Sequence, residues 1–216
     1  FTSSLIGEHT PRIRDFVARG AKAAVTPAFP AVTCTAQSNY GTGRNPSAHG
    51  IVANGWFNRE LAEVQFWKQS NHLIQGEKLY QTAAMRDPAH RTAKMFWWYN
   101  MHAAVDLAVT PRPIYPADGR KIPSLYAAPP ELKGDLEAAL GRFPLFNFWG
   151  PTADIRSSRW IAAATRRVME RRRPTVTLCY LPHLDYDLQR FGPDSPEAVR
   201  ACGEIDTVAG ELAEWA

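Results

Sequence analysis

Two stretches of this chain place reactive side chains where an apolar run gives way to small, polar and turn-forming residues. The first, residues 27–54, reads PAFPAVTCTAQSNYGTGRNPSAHGIVAN, and Thr33 opens a segment suited to a helix start. A hydroxyl at a helix N-terminus lies beside backbone N–H donors and the positive end of the helix dipole, a setting that suits phosphate. It becomes a nucleophile when its proton is withdrawn, and a metal ion can do that. Thr35 offers a second hydroxyl, and the plainer reading of Thr33 is an N-cap. The second stretch, residues 180–196, reads YLPHLDYDLQRFGPDSP. Asp185 and Asp187 follow an apolar strand there, and a carboxylate in that position is well placed to bind a cation. Capping a turn is the structural alternative for both.

The elements around these stretches follow from periodicity and punctuation. Thr10 and Pro11, with Ile13, Phe16 and Val17 behind them, predict an N-cap, a proline at the first helical position and an apolar helical face, ending near Gly20. Residues 23–26 read as a short buried strand. Gly41, Gly43, Asn45 and Pro46 mark a loop. Helices are expected over residues 75–85, 131–140, 155–169 and 196–215, and an aromatic-rich strand over 94–99. Residues 175–181, TVTLCYL, are almost wholly apolar, as in a central parallel strand buried on both faces. The proline-rich span near 106–130 reads as an inserted loop or small cap within one domain covering residues 1–216. Alternating strands and helices predict an α/β fold, a mostly parallel sheet with helices on both faces. Ligands in such folds collect beyond the carboxyl ends of the strands.

Composition narrows the classes. The 216 residues are 45% hydrophobic and 21% charged, enough to bury a core without staples. Three cysteines, Cys34, Cys179 and Cys202, form neither a disulfide framework nor a metal knuckle, and suit a reducing, cytoplasmic setting. No apolar run reaches the roughly 20 residues of a membrane span. The net charge of +4 is concentrated at Arg166, Arg167, Arg171, Arg172 and Arg173, cations at a helix C-terminus and not a nucleic-acid duplex surface. Glycine-rich nucleotide loops are absent. His72, His90 and His102 have no ligand spacing, and Phe96–Tyr99 reads first as core packing.

Pro30, Thr33, Thr42, Gly43, Pro46, His49, Gly50 and Ile51, followed by Asn54, resemble the type I phosphodiesterase/nucleotide pyrophosphatase family of the alkaline phosphatase superfamily. The likeness keeps its spacing over residues 9–57. It implies an alkaline-phosphatase-like sheet, incomplete in this chain, which is expected to be cut at both ends. Thr33 takes the position of the nucleophile, which passes through a phosphothreonine intermediate. The family commonly has an asparagine three residues later; here Ala36 stands there, so Gln37, Asn39 and Asn54 become the expected contacts to substrate. His49 belongs to the loop and not to the metal set. The family pattern D-x-x-x-H-x-x-G-P is met by Asp185, Gly192 and Pro193, with Gln189 in the histidine position. The resemblance therefore implies metal ligands at Thr33, Asp185 and Gln189, for a divalent metal expected as two zinc ions, with manganese as the alternative. His183 is a candidate to compensate for the lost histidine. The implied substrate is a small phosphate ester or nucleotide. Two rivals accompany it: a phosphomonoesterase or phosphonate hydrolase on the same scaffold, and a binding relative without metal chemistry.

Overall fold

The computed structural model describes residues 2–216. Helices α1 (Pro11–Ala18), α2 (Thr33–Thr42) and α3 (Pro46–His49) precede a hairpin of β1 (Gly55–Asn58) and β2 (Glu63–Phe66). Then come α4 (Leu79–Arg86), β3 (Thr92–Met95), β4 (Leu107–Pro111), β5 (Leu125–Ala128) and α5 (Glu131–Leu140). The chain continues through α6 (Ile155–Arg172), β6 (Val176–Cys179), α7 (Leu184–Phe191) and α8 (Pro196–Trp215). The main sheet has the order β5-β4-β3-β6, with β3 parallel to both neighbours and β5 antiparallel to β4. This is the mostly parallel, helix-flanked α/β architecture expected from the alternation of elements.

Successive strand side chains point to opposite faces, so the sheet feeds two layers. Ala93, Met95, Leu107 and Val109 pack with Leu132 and Leu136 of α5 and with Trp160, Ile161 and Val168 of α6. Lys94 points the other way, toward Tyr80 of α4, with Nζ 5.4 Å from the ring centroid. On that side Cys34, Ile51, Ile74, Trp98 and Tyr99 form a second core under α2. Tyr180, the residue after β6, packs against both clusters.

Helix α6 packs on β3 and β6 and turns directly into β6, so it runs antiparallel to that strand. Its N-terminus therefore sits at the carboxyl edge of the parallel strands, with the loops leaving β3, β4 and β6. Its arginine-rich C-terminus lies at the opposite edge. There Arg167 grips Asp135 of α5 with two bonds of 3.0 and 2.7 Å, which hold that carboxyl below its usual range. Arg166 bonds Glu170 at 2.7 Å and lies over Trp215. The arginine cluster thus serves a helix end and helix packing, as its position before Pro174 implies.

Several expectations are corrected. Residues 23–26 are exposed and join no ladder among the described residues, so no strand forms there. The apolar run 175–181 yields β6 at the edge of the described sheet, half-buried, while β3 takes the centre. The strand over 94–99 ends at Met95, because Phe96 (φ 60) and Tyr99 (φ 51) turn in the left-handed region. The ends of the proline-rich span are strands β4 and β5, which leaves only residues 112–124 to project, clasped by Ile114 pairing with Ile122. Thr10 does not cap α1: its hydroxyl donates back to Leu5 O, and Asp206 of α8 accepts from Arg12 N (3.1 Å) and Ile13 N (2.8 Å) instead.

Candidate active site

Thr33 is the first residue of α2, with Val32 at the N-cap position. The first amides of a helix have no intrahelical carbonyl to meet. Asn54 reaches across from the loop before β1 and accepts from Cys34 N at 2.9 Å. The side chain that caps α2 therefore comes from a residue far along the chain, and Thr33 keeps its hydroxyl free of that duty. Thr33 is half-buried, whereas Thr35 is 0% exposed and its Oγ1 has no partner. A fully enclosed hydroxyl cannot meet a substrate, so the geometry removes Thr35 as the rival nucleophile. Replacing Asn54 with alanine is expected to lower stability by about 1 kcal/mol through loss of the cap. An unchanged urea midpoint would show that the bond from Cys34 carries no net weight.

The turn after Thr33 is built by its glycines and by His49. Gly43 (φ 65) ends α2 and returns its N–H to Asn39 O at 2.8 Å, and Gly50 (φ 81) ends α3. A Cβ at Gly50 would meet the Gln75 side chain at 3.4 Å, an ordinary contact, so it is the positive φ that calls for glycine there. His49 is fully buried, its Nδ1 accepting from Ile51 N and its Nε2 lying 2.6 Å from the Asn39 side chain. Burial lowers its pKa, favouring the neutral ring. His49 is a brace for the loop, as the resemblance implies.

Two of the expected substrate contacts have other partners. Gln37 is 6% exposed, and its Oε1 accepts from Trp98 N at 2.7 Å, tying α2 to the aromatic turn after β3. The Asn39 amide lies between His49 Nε2 and the carbonyls of Thr35 and Arg44. Both side chains hold the scaffold, and neither presents a free group beside Thr33 as the sequence reading expected. Asn54 remains at the helix entrance.

The second stretch arrives from β6. Tyr180 donates its backbone N–H to Met95 O at 3.1 Å, continuing the pairing of β6 with β3. Its phenol donates to Asp185 Oδ2 at 3.2 Å, and the Thr33 side chain lies close enough to lower the phenol's pKa against the other influences on it. Tyr180 therefore stands between the two chemical stretches, a position not foreseen from the sequence. The available signal was an aromatic residue closing an apolar strand just before a polar loop. Burial, then the Asp185 charge, pushes the Tyr180 phenol well above its usual range, so it stays a proton donor. Desolvation likewise raises the Asp185 carboxyl, against the hydrogen bond from Tyr180 that lowers it.

Asp185 and Gln189 are four residues apart on α7, hence on one face, and both are exposed. Asp187 lies between them in sequence but is buried, held by Arg190 (3.2 Å) and Arg200 (3.4 Å). It is a structural carboxylate. Arg190 also donates to Gly150 O, Pro151 O and Ala153 O, fastening α7 to the loop that enters α6. His183 cannot compensate for the missing histidine: it is 7% exposed and its Nε2 meets Glu204 Oε2 at 2.7 Å, toward α8.

The donors that could hold a metal are thus the Thr33 hydroxyl, the Asp185 carboxylate and the Gln189 amide oxygen. All are oxygens, a set that fits a divalent cation of the magnesium or manganese type. Nitrogen or sulfur donors suited to zinc are missing from it. Among the described residues no three His, Cys, Asp or Glu side chains are grouped to hold a metal. Nor is any helix among them long and apolar enough to cross a membrane.

A family model for type I phosphodiesterase/nucleotide pyrophosphatase matches residues 1–216. An uncharacterized pyrophosphatase/phosphodiesterase of Schizosaccharomyces pombe is 27% identical over 195 residues, covering 87% of this chain and 33% of that protein. Among solved structures, phosphonoacetate hydrolase of Sinorhizobium meliloti in complex with phosphonoformate aligns with a TM-score of 0.63 at 18% identity. That alignment covers 96% of this chain and 48% of the hydrolase. Murine ectonucleotide pyrophosphatase/phosphodiesterase 5 aligns with a TM-score of 0.59 at 18% identity, covering 95% and 46% respectively. The chain thus spans a third of the curated relative and about half of these solved chains.

Proposed function

The chain belongs to the type I phosphodiesterase/nucleotide pyrophosphatase family, and we propose that it carries the nucleophile half of a metal-dependent phosphate-ester hydrolase. The observation that supports this most directly is the Tyr180 phenol, which donates to Asp185 Oδ2 at 3.2 Å and has the half-exposed helix-start hydroxyl of Thr33 close enough to favour its ionised form. Thr33 Oγ attacks phosphorus, the bond to the leaving group breaks in line, and the phosphoryl group rests on Thr33 until water releases it. The first turn of α2 directs its amides at the phosphoryl oxygens, and Asn54 stands at the same helix entrance. Asp185, Gln189 and Thr33 would hold a divalent cation, which supplies charge to ionise the hydroxyl and to offset the negative oxygens. The three free cysteines favour a reducing compartment for this activity.

The test uses the complete gene product. Hydrolysis of bis(p-nitrophenyl) phosphate and of a nucleotide diester is compared with p-nitrophenyl phosphate and phosphonoacetate, before and after chelation. Diester hydrolysis that disappears with chelator and returns with added divalent cation is the expected result. Faster hydrolysis of the monoester or of the phosphonate would replace the diesterase reading. Absence of turnover on all four substrates, with cation bound, would replace it with a binding role.

A further inference from the structure

His72 and His102 are thirty residues apart in sequence, yet the fold sets their rings side by side, with centroids 6.1 Å apart and planes within 26° of parallel. We propose that these two imidazoles form a seat for a zinc- or copper-type divalent ion, separate from the candidate active site. Imidazole nitrogen suits such ions, and two protein donors leave further coordination positions open to water or to an anionic oxygen. With Zn–N bonds of about 2.0–2.1 Å, two imidazoles on one ion have ring centres no more than about 6.5 Å apart. The separation of 6.1 Å lies within that reach.

Backbone pairing holds the two histidines together. Ser70 and Met101 form a parallel bridge, with Asn71 N donating to Met101 O at 2.8 Å and Met101 N to Gln69 O at 3.0 Å. His72 and His102 directly follow these paired residues. Asn71 is 4% exposed and anchors its side of the bridge by donating to Tyr99 O at 2.8 Å. On the other side His102 adopts a left-handed backbone (φ 60), its N–H donates to the Tyr126 phenol at 3.4 Å, and the Tyr126 ring stands edge-on to the imidazole at 6.2 Å. Both imidazoles are exposed, so each turns about its own side-chain bonds to offer a nitrogen without opening the core. Tyr126 pairs with Thr110 near the end of β4, which places the seat at the carboxyl edge of the sheet, where ligands of such folds collect. Tyr126 on β5 and Tyr180 after β6 are three strand spacings apart, about 14 Å, so the seat and the candidate active site are distinct.

Zinc titration of the complete, chelator-stripped protein against a chromophoric zinc chelator tests the seat in wild type, His72→Ala, His102→Asn and Asp185→Ala. Asparagine tolerates the left-handed backbone at position 102, and both histidines are exposed, so the fold should survive, which circular dichroism checks. The expected result is a zinc equivalent that wild type and Asp185→Ala share, and that binds about tenfold or more weakly in His72→Ala and in His102→Asn alike. Copper(II) bound to Asp185→Ala should show coupling to two imidazole nitrogens in its electron paramagnetic resonance spectrum, a signature that needs no substitution at either histidine. Equal zinc uptake by wild type and both histidine variants overturns the seat. So does a loss confined to one of the two, which marks a lone surface histidine, or a copper spectrum without the paired nitrogens. Turnover is not among these readouts, so the outcome stands apart from that of the hydrolase assay.

Discussion

Thr33→Ala in the complete protein is expected to reduce diester turnover by about a thousandfold or more, because it removes the atom proposed to bond to phosphorus. The loss should fall on kcat, since binding of the rest of the substrate does not depend on one hydroxyl. Thr33→Ser, which keeps an oxygen at the helix entrance, should recover part of the rate. Acid quenching during turnover should trap phosphate on residue 33 of wild type, detectable by peptide mass spectrometry, and on no residue of the alanine variant. Thr35 supplies the internal control. Its Oγ1 is fully enclosed and lacks a partner, so Thr35→Val replaces an unsatisfied hydroxyl with a methyl of similar shape. That variant should retain turnover and lose no stability. Full turnover in Thr33→Ala, or its loss in Thr35→Val alone, would move the nucleophile and with it the proposed chemistry.

A second large effect is expected at Lys94, which has no role in the proposed chemistry. Lys94 is 1% exposed in the centre of β3, and its ammonium donates only to Tyr99 O, at 2.9 Å. Burial, reinforced by the Lys78 charge, brings its pKa from 10.5 down to about 7. Among the described residues neither lysine has a carboxylate within ion-pair distance. Between the folded and the unfolded values the unfolded chain holds the extra proton, so stability rises with pH over that interval and is flat below it. From about pH 8 upward the Cys34, Cys179 and Cys202 thiols, all raised by burial, work in the opposite sense, joined at higher pH by the Tyr80 phenol, pushed up to about 12. Lys94 dominates the slope from pH 7 to 9, where its own contribution, read as the difference between wild type and the Lys94 variant, amounts to about 2–3 kcal/mol. Lys94→Met should remove that slope and stabilise the protein at pH 7 by about 1–3 kcal/mol. Tyr99 O is not orphaned by the change, since Asn71 Nδ2 also donates to it at 2.8 Å. Urea unfolding at both pH values measures the effect. A methionine variant less stable than wild type at pH 7, with the pH slope intact, would mean that the lysine is satisfied as it stands.

The legible parts of this molecule are those fixed by local backbone demands. Gly43 and Gly50 adopt positive φ at helix ends, Ser195 and Pro196 open α8, and hydroxyl, glycine and proline spacing marks the Thr33 turn without any tertiary knowledge. Asp185 was legible as a carboxylate leaving a strand. What escaped depends on register and burial. A hydrophobic run tells how much a strand is covered and not where it sits, so TVTLCYL read as central although β6 lies at the edge of the described sheet. Gln37 and Asn39 look available as letters, but packing turns one to Trp98 N and the other to His49. Tyr180 becomes a link only because β6 is registered on β3, Met95 beside Cys179, which brings its phenol between two residues remote in sequence.

That registration also sets an order of events during synthesis. β3 can pair with β4 almost as soon as both exist, since Ala93 meets Leu107. Its other edge must wait until Val176 emerges to meet Thr92. Closing such a long loop is slow, and an unpaired inner strand is a template for association with other chains. Thr33 and Asp185 thus come together late, after every other strand of the described sheet has already been made. A ribosome-bound chain that has reached α6 has helix α2 with Thr33 but not yet Tyr180 or Asp185. The proposed meeting of Thr33 with Asp185 and the pairing of β6 on β3 consequently arrive in the same step.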